Sequence, residues 1–150
     1  MRSFAWLSAL FLLASLLVYK PEAAVDLGSL IPVETLWVTL EGDLVSVEGD
    51  RVRGVGADWT SAMADLEKTA TGTVFLETVD RVVVSREASA CMDAIRGDLR
   101  FRPAVQLYWL DGVASRELDA FTAAHESPAA IGNGEEIPVI QEKGGRYRLG

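Results

Sequence analysis

The sequence predicts an α+β fold: a mixed β-sheet with about three helices packed mainly on one face, preceded by an N-terminal hydrophobic helix. Three observations predict it. Short runs rich in β-branched and aromatic residues are separated by Gly, Pro and Asp. Between them, apolar residues recur at helical spacing in segments opened by Asp58, Ser85 and Ser115. The chain has 150 residues, 49% of them apolar, which suits one ordinary domain and argues against disorder.

The N-terminal segment differs in kind from the rest. Arg2 precedes an uncharged run from Phe4 to Tyr19 that ends at Lys20. A positive residue ahead of such a run marks a secretory signal or a signal anchor, whereas a buried core helix would show a polar face. Residues 1–20 are therefore read as signal anchor or signal peptide, with membrane contact through residues 3–19. Pro21 or Glu22 stands where a cleavage site wants a small residue, which favours retention. Arg2 stays inside and the rest crosses, so the expected location is the cell membrane, single-pass with an extracytoplasmic C-terminal domain. If the leader is cleaved, the domain is secreted.

Residues 21–31 read as a tether, 32–128 as the α+β domain, and 129–150 as a C-terminal edge strand, hairpin or tail. Val33 to Leu40, Leu44 to Val47 and Arg51 to Val55 are strands of a meander. Gly42-Asp43 and Gly49-Asp50 form an internal echo and supply the turns through positive φ. A calcium site would need such carboxylates at alternate positions of one loop, and strands intervene here. Asp58 caps a helix whose Trp59, Met63, Leu66 and Ala70 face inward, stopped by Gly72. Thr73 to Leu76 and Arg81 to Val84 are two strands or one bent strand, and consecutive Val82, Val83 and Val84 suit a strand covered on both faces. Ser85 opens a second helix with the stripe Ala88, Met92, Ile95 and Leu99. Ala104 to Leu110 is a strand ending at Asp111-Gly112. Ser115 opens a third helix carrying Leu118, Phe121 and His125 on one side. Ile137 to Ile140 reads as an edge strand, and Gly144 to Leu149 as a frayed hairpin or tail.

Chemistry finds little support. Asp and Glu outnumber Lys and Arg by 22 to 14, so phosphate-backbone binding is excluded as a partner class. One Cys and one His remove internal disulfides and every motif that needs two of either. Gly54-Val55-Gly56 begins like a dinucleotide loop, but Trp59 occupies the third glycine position. His125-Glu126 lacks the second His of a zinc helix, since Ala129 stands there, and His125 reads as a packed residue at a helix C-terminus. Cys91 could act as a nucleophile only if the fold brings it to His125. Trp37, Trp59 and Trp109 read as core, with a recognition patch including Tyr108 as the alternative. Gly144-Gly145-Arg146-Tyr147-Arg148 is the one basic cluster, too short to hold a polyanion strongly. No catalytic, cofactor-binding or metal-ligating residue is expected.

The block from Gly56 to Leu118 resembles the N-terminal domain of the C subunit of spore germinant receptors, the Ger(x)C-type lipoproteins. The likeness rests on the glycine-led helix entry at Trp59-Thr60-Ser61-Ala62, the strands Val74-Phe75-Leu76 and Arg81-Val82-Val83-Val84, and the charged start Ser85-Arg86-Glu87. It continues through Arg102-Pro103-Ala104-Val105 and Gly112-Val113-Ala114-Ser115. Departures from that family include the absence of the N-terminal lipidated cysteine and Leu76-Glu77-Thr78 in place of the family's aromatic-Gly-His. The resemblance implies a small membrane-anchored relative in a sporulation or germination setting. The expected function is then a non-enzymatic, membrane-anchored extracytoplasmic domain that binds an unidentified protein partner. The alternatives are a small-ligand or cell-wall binding module using Trp109, and a hydrolase using His125.

Overall fold

The apolar runs become strands wherever a partner strand can satisfy their backbone, and the computed structural model describes this for residues 27–150. Nine strands and three α-helices are found among the described residues. The meander is β2 (Thr35–Glu41), β3 (Leu44–Glu48) and β4 (Arg53–Gly56), followed by α1 (Trp59–Thr69). Then come β6 (Arg81–Ser85), α2 (Met92–Arg96), β7 (Gln106–Asp111), α3 (Glu117–Ala124), β8 (Val139–Lys143) and β9 (Arg146–Leu149). These strands make one seven-stranded sheet in the order β4-β3-β2-β6-β7-β8-β9. β2, β6, β7 and β8 run parallel, while β3, β4 and β9 pair antiparallel at the two sides.

The sheet has helices on both faces, two on one and one on the other. On the first face α1 and α2 bury Met63, Leu66, Met92 and Ile95 against Val38, Val47, Val82, Val84 and Leu107. On the second face Leu118 of α3 packs with Val83, Tyr108, Leu110 and Ile140. Val82, Val83 and Val84 are all buried because successive side chains of this inner strand meet opposite layers.

β1 (Leu30–Pro32) and β5 (Thr73–Phe75) form a separate parallel pair. Leu30 and Ile31, read as tether, are therefore strand residues. Gly72 makes the pairing possible by its smallness: a Cβ there would stand 2.1 Å from the Ser29 carbonyl oxygen. It is not a helix-stopping glycine with positive φ, since α1 already ends at Ala70 in an extended conformation. Gly49 is a similar correction. Gly42 has φ 63° and turns the chain, but Gly49 has no positive φ and instead leaves room for Val33 Cγ1, 2.9 Å from where its Cβ would be.

Asp58 caps α1 as expected, its Oδ1 accepting the Ser61 N–H at 2.8 Å. The other two helix starts differ. Residues Arg86–Cys91 are 3-10 turns, Ser85 makes no side-chain cap bond, and Leu99 is 98% exposed because α2 stops at Arg96 before the apolar stripe reaches it. At α3 the Ser115 carbonyl, not its side chain, accepts the Leu118 N–H at 3.0 Å. Beyond residue 128 the sheet continues: Leu107 donates to the Ala129 carbonyl and Trp109 to that of Pro138. β8 is thus an interior strand rather than an edge, and β9 takes the edge through a Gly144-Gly145 turn with φ 59° and 75°.

Among the described residues no helix is long and apolar enough to cross a membrane. The apolar run at 3–19 lies outside the described residues.

Candidate functional site

An open cleft of about 710 Å³ lies at the N-terminal ends of β2 and β6. Its walls are polar because the parallel strands begin there, with Glu34 and Asp80 just ahead of them and Asp50, Glu77 and Arg102 alongside. The cations are already engaged. Arg81 donates from Nε to Thr35 Oγ1 at 3.3 Å and lies 3.8 Å from Glu34, while Arg102 bonds Asp80 and the Val79 carbonyl. Asp119 reaches in from α3. Burial pushes its carboxyl above the ordinary range, against the pull of Thr35, Arg81 and Trp37, and Asp50 adds to the rise. Asp119 Oδ1 and Trp37 Nε1 are both buried without a hydrogen-bond partner. Among the described residues no group of three or more His, Cys, Asp or Glu is arranged to hold a metal ion.

The sheet separates the residues with nucleophilic potential. Cys91 is buried in the layer of Ala88 and Met92, and burial, with Asp58 nearby, pushes its thiol up, away from the reactive thiolate. His125 lies past the end of α3, which packs on the opposite face. It is exposed rather than packed, because the chain leaves helical geometry at this residue (φ −129°, ψ 86°) and swings it off the line of Leu118. Its ring stacks on Phe121 at 4.3 Å and 19°, and Nδ1 is 2.9 Å from the Phe121 carbonyl. Glu126 is exposed beside it. Cys91 and His125 are not brought together.

The tryptophans do not form a common patch either. Trp59 is buried and donates to Asp98 at 3.0 Å. Trp37 and Tyr108 belong to the second face, and Trp109 to the first, where the Arg86 guanidinium lies 5.5 Å from its ring. Tyr108 is fully buried, and its hydroxyl donates to the His125 carbonyl at 2.7 Å, fixing the exit of α3.

A contrast between the two sheet edges was not anticipated. An edge strand offers unpaired N–H and C=O groups, and proteins usually cover them. At β4 the cover comes from α1: Asp65 Oδ2 accepts the Val55 N–H at 2.8 Å, and Thr69 Oγ1 donates to the Arg53 carbonyl at 2.9 Å. At β9 no such cover exists among the described residues. Lys143 pairs Arg146 and Gln141 pairs Arg148 in register, and Gly150 donates to the Val139 carbonyl at 2.8 Å. Antiparallel alternation then turns the backbone groups of Tyr147 and Leu149 away from β8.

The same register places Gln141, Lys143, Arg146 and Arg148 on one face, all exposed, where they help line a hollow of about 450 Å³. Among the described residues none of these three cations joins an ion pair. The signal was present in the sequence as Lys143-Gly144-Gly145-Arg146-Tyr147-Arg148, since a Gly-Gly turn puts the residues flanking it opposite each other. Comparison with protein-family models, with curated proteins and with solved structures finds no match to this chain.

Proposed function

We propose that this chain is a membrane-held, extracytoplasmic domain that works through protein contacts rather than catalysis. The observation that carries the reading is the unequal treatment of the two sheet edges. α1 spends Asp65 and Thr69 on closing β4, whereas β9 keeps outward backbone groups beside three cations that join no ion pair among the described residues. Backbone groups held rigidly in line on a sheet are a ready template for another chain. The uncharged run at residues 3–19 supports attachment to a membrane, and the resemblance of residues 56–118 to the germinant-receptor domain supports an envelope or spore setting.

Fractionation tests the reading. The intact protein is expected to sediment with membranes, to resist carbonate extraction, and to lose its domain when protease is added outside intact cells. Recovery as soluble cytosolic protein overturns it.

A further inference from the structure

We propose that the β9 edge takes an extended acidic segment of another protein as one more strand, with its carboxylates on the face of Lys143, Arg146 and Arg148. This rests on the reading of the domain as a contact module and names the chemistry of its partner.

Two features converge on that strand. The first is main-chain valency. With β8 bonded through the residues opposite Lys143 and Gln141, the N–H and C=O of Tyr147 and Leu149 face outward at the two-residue spacing of a ladder. The second is charge. Lys143 and Arg146 stand directly opposite, a like-charge cross-strand pair that disfavours the hairpin, and Arg148 extends the same row along β9. An incoming Glu or Asp beside Arg146 or Arg148 would turn that repulsion into attraction. The carboxylates of the hairpin and its neighbour strand do not perform this task. Glu142 belongs to the other face and accepts the Gly145 N–H at 2.8 Å, and Asp111 sits across β8 from Arg148, opposite Gln141.

Other occupants fit less well. A second copy pairing antiparallel through β9 about Tyr147 would set Arg146 against Arg148 and double the repulsion. A flat anionic surface would meet three cations on a chain whose net charge is −8, and would leave the outward backbone groups unused.

Fluorescence anisotropy on the full chain in detergent micelles tests the assignment, with three labelled probes of equal length. They are an alternating Val-Glu peptide, an alternating Val-Lys peptide, and the Val-Glu peptide N-methylated at alternate residues so that it keeps its charge but cannot form a ladder. Saturable binding of the Val-Glu peptide alone is expected, weakened by salt. The variant R146E/R148E should lose about tenfold in affinity for it and gain affinity for the Val-Lys peptide, with a melting temperature no lower than the parent's, since Lys143 then faces an acid. R146Q/R148Q, which adds no acid, should fall in between and serves if the charge reversal impairs folding.

Absence of Val-Glu binding, or binding that ignores both variants, overturns the proposal. Equal binding of the N-methylated peptide overturns strand addition, and preferential binding to phosphatidylglycerol vesicles assigns the surface to lipid instead. Cell location enters none of these measurements. Their failure leaves the anchored-contact reading standing, and a cytosolic fractionation result removes that reading without altering the binding curves.

Discussion

Asp65 of α1 closes the sheet at Val55, its Oδ2 accepting the Val55 N–H at 2.8 Å. Asp65→Ala leaves that donor without a partner at a half-buried position. The expected loss is about 1–2 kcal/mol, the cost of an unmade bond to a charged acceptor. Urea titration should show a lower midpoint at an unchanged slope. An unaltered midpoint would mean that water replaces the carboxylate at no cost.

Gly54 and Gly56 are required for contact rather than for a nucleotide. A Cβ on Gly54 would lie 2.2 Å from the Ala62 carbonyl oxygen and 2.3 Å from the Leu66 nitrogen, both backbone atoms of α1. Gly54→Ala should therefore push α1 off β4 and cost about 3 kcal/mol. Gly134 has open space and no positive φ, so Gly134→Ala should be neutral or stabilise by about 0.5 kcal/mol. Paired thermal melts of the two variants check the contrast.

Two carboxylates make the pH dependence of stability run in opposite directions. Burial works against the Asp98 charge, but bonds from Arg100 and the Trp59 indole outweigh it and hold its pKa below the usual range. Its contribution is present above the unfolded value near 3.9 and is lost as pH falls through the folded one. Asp119 is raised by burial, so its favourable contribution is complete below its unfolded pKa and is lost as pH rises through the folded value. Asp98→Asn should lower the melting temperature at neutral pH and flatten its acid decline, whereas Asp119→Asn should raise it by about 2 °C at neutral pH. The sign of each change at pH 7 is the deciding observation.

What the sequence disclosed was local. Asp58 announced a helix start because its cap bond closes within three residues, and Val82-Val83-Val84 announced an inner strand because burial on two faces needs no polar alternation. What it withheld depended on distant partners. Gly49 and Gly72 look like turn residues, yet each makes room for a segment far away in the chain, Val33 and Ser29 respectively. Leu99 continues a helical period on paper, but α2 has already ended. The basic cluster was visible as composition, while its location on an uncovered edge follows from β8 pairing with β7, a contact between residues roughly thirty positions apart.

The central run of parallel strands also dictates when this molecule can become itself. β6 borders β2 on one side and β7 on the other, and β7 borders β8, so each neighbour is delivered only after an intervening crossover has been synthesised. A ribosome that has released residues up to Ser85 has made a valine-rich strand whose outer neighbour does not yet exist. Until Gln106–Asp111 emerges, that strand is an apolar edge without its neighbour, and a holding chaperone or a translocation channel is the natural shelter for it.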